Sequence, residues 1–300
     1  MFLGCGTAMV TPFRADLSLD ETALRLLVRR QIDSGINFLV PCGTTGESPT
    51  LSHQEHLRVV EITLEEAKGK VPVLAGAGGY NTAEVIHLAR EIEAMGADGI
   101  LSVTPYYNKP TQEGLYQHYR AIAAAVKLPI VVYSVQGRTG INVEPATLKR
   151  LAAIGNIAGV KEASGNVSQM ASVIQNVPEN FVVLSGDDAI TLPLMALGGR
   201  GIISVVSNEI PAEMTHLAQC CLRNDFPAAR DIQRRYLPLM EVNFVESNPI
   251  PVKAAMAMMG LLEPVWRLPL VAPSEASRAR IEKVLHEVGL IGRRSANAAD

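Results

Sequence analysis

The chain has 300 residues, with 27 Lys plus Arg against 30 Asp plus Glu, a formal net charge of -3, and 48% hydrophobic residues. That composition is enough for a large core and fits neither a disordered nor a fibrous protein. Acids and bases alternate along the chain, so there is no basic footprint for nucleic acid or an anionic membrane, and the partners to expect are small molecules and further copies of the chain.

The opening stretch, MFLGCGTAMV, is apolar but lacks a basic leader region and a polar cleavage zone, so it reads as a first strand and not a secretion signal. No apolar run approaches the length of a bilayer span. Cys5, Cys42, Cys220 and Cys221 lack CxxC spacing and read as reduced, semi-buried small residues, which together give the expectation of a cytoplasmic protein.

From there short β-branched runs alternate with amphipathic stretches. The runs are TAMVTPF, NFLVPCG, VPVLAGAGG, DGILSVTPYY, PIVVYSV, IAGVKEAS, FVVLSGD and GIISVVSN. Between them lie segments such as ETALRLLVRRQIDSG and TAEVIHLAREIEAMG, whose apolar residues recur every three or four positions and whose ends carry Gly. About eight βα units with strands apolar on both faces predict a parallel sheet closed into a (β/α)8 barrel. A doubly wound open sheet would have fewer strands and often a GxGxxG loop, and GAGG at 76–79 lacks that spacing. After about residue 209 only helical patterns remain. The expected organisation is barrel over 1–208, last barrel helix and C-terminal helical region over 209–291, and a disordered tail over 292–300.

In such a barrel the chemistry sits at the C-terminal ends of the strands. Those ends offer GTTGES (43–48), YYN (106–108), YSVQGRTG (133–140), Lys161, GDD (186–188) and SVVSN (204–208). No His, Cys or acidic cluster at metal-ligand spacing lies among them, so no metal is expected. HQEH at 53–56 falls short of HExxH and reads as surface helix residues, and no GxSxG elbow is present.

Lys161 ends an apolar strand and is followed at once by Glu162. The bland reading is an ammonium that reaches solvent or pairs with Glu162. Against it, burying an ionised ammonium without a partner costs several kcal/mol, and a lysine so placed commonly gives up its proton and becomes a nucleophilic amine. An amine surrounded by tyrosine and threonine hydroxyls and one guanidinium suits Schiff-base chemistry on a 2-keto acid. Tyr133, on the adjacent strand, is placed to pass protons, with Thr44 linking it to a further hydroxyl. Backbone N–H groups of GTTGE can hold a carboxylate, and Arg138 can clamp a second one.

Taken together, GTTGES, YYNKPTQEGLYQHY, Y…GRTG, GVKEASG, LSGDD and ESNPIPVK resemble the dihydrodipicolinate synthase family of pyruvate-condensing enzymes, in the class I aldolase group that includes N-acetylneuraminate lyase. The resemblance runs in matching order from about residue 3 to about residue 291. It implies that Lys161 forms the imine with pyruvate, that Tyr133 is the general acid/base joined to Thr44 and Tyr107, and that Tyr107 reaches across a dimer interface. It implies further that Thr45 and the backbone at Ile203 hold pyruvate, that Gly186 borders the site, and that Arg138 takes the carboxylate of aspartate semialdehyde. No cofactor and a homotetramer built as a dimer of dimers follow. So does an allosteric lysine site made of Ser48, His53, His56, Tyr80, Glu84 and Tyr106.

Two departures from the family pattern stand out. Ser134 and Gln136 replace Asn and Pro before Arg138, and losing that proline predicts a less preorganised clamp. Tyr80 stands where lysine-sensitive members have a small amide, which predicts a partly filled site and weak or absent inhibition, with Asn81 able to compensate only if the loop shifts. The expected reaction is condensation of pyruvate with aspartate semialdehyde to 4-hydroxy-tetrahydrodipicolinate. The alternatives are an aldolase of the same mechanism acting on a keto-deoxy sugar acid or 4-hydroxy-2-oxoglutarate, a pyridoxal-phosphate enzyme, and a non-catalytic keto-acid binder.

Overall fold

The structure, a computed structural model, describes residues 2–292, so the expected tail lies outside the described residues beyond Gly292. Eight strands, β1 (Gly4–Ala8), β2 (Phe38–Val40), β3 (Leu74–Gly76), β4 (Gly99–Val103), β5 (Ile130–Ser134), β6 (Ile157–Glu162), β7 (Val182–Ser185) and β8 (Gly201–Ser204), form one parallel sheet. Its order is β2-β1-β8-β7-β6-β5-β4-β3, and a parallel bridge between Leu39 and Val73 joins the two outer strands. The result is the (β/α)8 barrel that the eight-fold alternation predicts.

Around the barrel run α1 (Glu21–Asp33), α2 (His53–Ala67), α3 (Thr82–Ala94), α4 (Gln112–Ala125), the single turn α5 (Gln136–Thr139), α6 (Pro145–Leu151), α7 (Val167–Asn176) and α8 (Thr191–Ala196). Then come α9 (Pro211–Leu222), α10 (Phe226–Val242), α11 (Ile250–Met258) and α12 (Glu275–Val288). Helix starts are set locally. Asp20, Asn81, Thr111 and Asn166 each accept a backbone N–H of the first turn, and Ser52 with Glu55 makes a reciprocal capping box. Among the described residues, no helix is long and apolar enough to cross a membrane.

The strand period of two divides the core into two layers. Val131 and Tyr133 on β5, Val182 and Leu184 on β7 and Ile203 on β8 fill the barrel interior. Their neighbours Ile130, Val132, Val183 and Ile202 face the helices, in a layer that also takes in Leu239, Val252 and Leu285 from the C-terminal helices. The first strand begins earlier than TAMVTPF suggests. Gly4 and Gly6 open β1, and a Cβ at Gly6 would lie 2.1 Å from the ring of Phe38, so the glycine makes room for an aromatic interior residue.

The C-terminal helices are fastened to the loop after β2 by a buried ion pair. Lys253 Nζ on α11 donates to Glu47 Oε1 at 2.5 Å, and both side chains are fully buried. Burial pulls the Lys253 ammonium below its ordinary pKa, and the Glu47 carboxylate opposes that shift. Glu47 sits at φ +53°, in the left-handed region that a non-glycine residue occupies at a cost of about 1–2 kcal/mol. Arg267 continues the junction. Its guanidinium donates to Glu55 and to the carbonyls of Leu17 and Thr50, and its Cζ stands 4.2 Å from the Phe13 ring centre.

Breaking one side of a buried pair leaves the other charge unpaired. Lys253→Met should therefore lose about 3–5 kcal/mol in urea unfolding. The double variant Glu47→Gln/Lys253→Met should recover most of that loss; equal stability of the single and double variants would contradict this account.

Candidate active site

Parallel register places the amine. On β6, Lys161 pairs with Tyr133 of β5 on one side and Leu184 of β7 on the other, and both of those residues point into the barrel. Lys161 is 5% exposed, with Nζ 4.2 Å from the centre of the Tyr133 ring. Among the described residues it makes no ion pair. Glu162, one residue on, faces the opposite side of the sheet. There it is fully buried, accepts from Gln169 Nε2 (2.9 Å) and the Ser164 N–H (3.3 Å), and has its pKa raised by burial. The pairing of Lys161 with Glu162 is excluded by the alternation of the strand itself.

A cavity of about 330 Å³ is lined by Gly43, Thr44, Ser48, His56, Tyr106, Tyr133 and Arg138 among others, and Tyr133, the ring that Lys161 Nζ faces, connects the lysine to it. Lys161 itself, Thr45, Ile203 and Gly186 lie outside that lining. Thr45 is buried and its Oγ1 accepts from Asn248 Nδ2 at 2.9 Å, while Ile203 is an interior residue of β8. A Cβ on Gly186 would stand 2.6 Å from Ala163 Cβ and 3.2 Å from Lys161 Cε, so only glycine lets the β7 loop pass this close to the lysine stem. Tyr107 does not join the cavity of its own chain: it is 92% exposed, at φ +68°.

The loop carrying Arg138 folds into a helical turn although the proline is replaced. Gln136 is the first residue of α5, where Thr139 N–H bonds to Val135 O and Gly140 N–H to Gln136 O. The first helical N–H has no intrahelical acceptor, so proline at this position would only preset φ, and the turn survives its replacement. Thr139 Oγ1 braces the turn against Val135 O and Ile141 O, and Arg138 Nη2 donates to Asn248 O at 3.3 Å. Ser134 faces outward, with its Oγ accepting the Val143 N–H.

A second cavity, of about 600 Å³, lies next to the first and gathers His53, His56, Tyr80, Glu84 and Tyr106; of the six expected lysine-site residues only Ser48 opens on the first cavity alone. His56 and Tyr106 line both. The surface reading of HQEH fails for His56, which is 9% exposed with Nε2 2.8 Å from Gly76 O and a pKa lowered by burial. Nor does Tyr80 fill the space. Its ring is half exposed and meets Tyr106 edge-on at 5.1 Å, leaving the cavity open. Asn81 is committed elsewhere, its Oδ1 capping α3 and its Nδ2 donating to Glu84 Oε1.

Sequence reading missed Asn248, whose amide holds Thr45 while its carbonyl receives Arg138, and Asp188, a buried carboxylate with pKa raised to about 6 by burial. Asp188 accepts from Ser204 Oγ and from the Val205 and Val206 N–H groups, tying the β7 loop to β8. Both residues stood inside quoted motifs, ESNPIPVK and LSGDD, but no spacing connects them to their partners.

The sequence profile of the Dihydrodipicolinate synthetase family matches residues 1–288. The chain belongs to that family. It is 55% identical over 289 residues to a protein of Koribacter versatilis named 4-hydroxy-tetrahydrodipicolinate synthase, covering 96% of each chain. The dihydrodipicolinate synthase structure from Thermotoga maritima superposes with TM-score 0.95 at 46% identity, over 97% of this chain and 100% of that one. The Acinetobacter baumannii enzyme, solved as a complex with pyruvate, gives 0.96 at 42% identity, over 97% and 100%.

Proposed function

We infer that Lys161 is the amine that binds pyruvate as an imine, in the condensation of pyruvate with L-aspartate 4-semialdehyde to 4-hydroxy-tetrahydrodipicolinate. The reaction is that of the family's named relatives, and the chain is a lyase of this kind. The observation that carries the assignment is a lysine without an ion-pair partner among the described residues, on the inner face of β6 and set against the ring of Tyr133.

The chemistry follows from that placement. The Lys161 amine adds to C2 of pyruvate, and the resulting carbinolamine loses its hydroxyl as water. Tyr133, lining the cavity, donates the proton that the leaving hydroxyl needs. The imine withdraws electrons, so C3 gives up a proton and becomes an enamine carbon that attacks the aldehyde of the second substrate. The amino group of that substrate then adds to C2 and expels Lys161, closing the ring and regenerating the free enzyme. Thr44 and Arg138 line the same cavity. Thr44 serves the proton relay and Arg138 clamps the semialdehyde carboxylate. The loop after β2, with Thr45, and the backbone at Ile203 hold pyruvate, while Gly186 leaves the lysine stem room to move.

Tyr107 belongs to the same proposal through a neighbour. Its exposed ring is available to a second copy of the chain, in the homotetramer proposed here, where it completes the hydroxyl relay of the adjoining site. A cytoplasmic location suits an enzyme fed by these two metabolites.

The second cavity is assigned to lysine, with Ser48 contributing from its edge. Tyr80 weakens that site because a phenol replaces the hydrogen bonds of an amide, not because it occupies the volume.

Borohydride reduction in the presence of pyruvate should add one pyruvyl unit per chain, on the peptide containing Lys161, and Lys161→Ala should abolish the label; undiminished labelling of the variant would overturn the assignment. Tyr133→Phe should lower kcat by about a hundredfold or more, as loss of a general acid/base group does. A wild-type kcat in that variant would remove Tyr133 from the proton path. Lysine should inhibit the native enzyme only at about 1 mM or above, and Tyr80→Asn should shift the inhibition curve to lower concentration. Complete inhibition of the native enzyme by submillimolar lysine would show that the phenol is a competent substitute.

A further inference from the structure

Helices α2 and α3 bring together three side chains that the reaction does not use. His87 and Glu91 stand one turn apart on α3, and His53 opens α2. His87 Nε2 is 3.5 Å, and His53 Nε2 2.9 Å, from the same atom, Glu91 Oε2. The two imidazoles lie stacked, 5.6 Å between centres and 14° between planes. All three ligand atoms fall within 4.8 Å of one another.

An ordinary ion pair accounts poorly for this arrangement. A carboxylate oxygen needs one directed N–H, whereas here two imidazoles converge on an oxygen that is closed to solvent and receives no well-directed hydrogen bond. An Nε2–H on either ring could donate to this oxygen, yet neither ring is aligned to do so, and the oxygen is left closed to solvent without a hydrogen bond. A divalent cation among the three supplies the missing partner. Ligand atoms about 2.1 Å from a tetrahedral ion are roughly 3.4 Å apart, and the observed separations of 2.9 and 3.5 Å straddle that spacing.

We propose that His53, His87 and Glu91 form a binding site for a divalent transition-metal ion of the zinc class, with solvent in the fourth position. Two imidazoles and one carboxylate favour Zn²⁺, Co²⁺ or Ni²⁺ over Mg²⁺ or Ca²⁺, which prefer oxygen ligands throughout. The histidine side chains are 48% and 71% exposed, so the ion enters directly from solvent. Because His53 and His87 also line the second cavity, the ion stands in its wall. The site lies apart from Lys161 and plays no part in the imine chemistry.

The test uses tag-free, full-length protein first dialysed against chelator. Calorimetric titration with ZnCl₂ should show one ion per chain, and Co²⁺ should give visible d–d absorption that Zn²⁺ displaces. His87→Ala and Glu91→Gln should each weaken Zn²⁺ binding roughly tenfold or more while leaving turnover at its native value. Failure of Zn²⁺ to bind at one per chain, or binding unchanged in folded His87→Ala, would overturn the proposal; MgCl₂ binding as tightly as ZnCl₂ would overturn the ligand class.

Discussion

The contact on which the face carrying the candidate site depends is the buried pair between Glu47 and Lys253. The loop after β2 carries Thr44 and Thr45, yet its own backbone enters a left-handed conformation at Glu47 that local forces do not favour. What holds it is a helix more than two hundred positions later in the chain. Lys253 fixes the Glu47 carboxylate, Asn248 fixes Thr45 and receives Arg138, and Arg267 ties α2 to the same junction. The C-terminal helices are thus a clamp on the mouth of the barrel, and two loops that would otherwise fluctuate separately share one anchor. Replacing the ion pair by apolar residues could preserve stability, but a hydrophobic contact would not specify the loop's turn.

Strand alternation solves a different problem, that of keeping a lysine and a glutamate apart although they are covalent neighbours. Lys161 enters the interior beside Tyr133 and Glu162 the layer under α7, where Gln169 donates to its carboxylate. The Lys161 amine stands 4.2 Å from the centre of the Tyr133 ring, and the same residue carries the hydroxyl proposed above for proton transfer. One pairing in the ladder, Tyr133 with Lys161, therefore puts the two residues of the proposed imine chemistry side by side.

How much of this was legible in the sequence follows from the range of the forces involved. Period and punctuation are local, so the eight βα units and the strand-end position of Lys161 could be read directly, and the family's motifs fixed their order. Which of Lys161 and Glu162 faces the interior was not legible until the strand register was known, because a shift of one residue exchanges the faces. The orientation of Tyr80 depends on Tyr106 across a loop, and the order of the Arg138 turn depends on Thr139, which stands in the quoted motif without announcing its bonds. Glu47 with Lys253, and His53 with His87 and Glu91, are brought together only by closure of the barrel and packing of its helices, so no spacing could announce them.

His56 and Tyr106 form a party wall between the two cavities. A wall shared by two rooms has a single position at any moment. A ligand in the outer cavity that held one setting of Tyr106 would impose that setting on the inner cavity, and linkage would make the influence equal in the opposite direction. The two cavities therefore cannot be reshaped independently along the face they share.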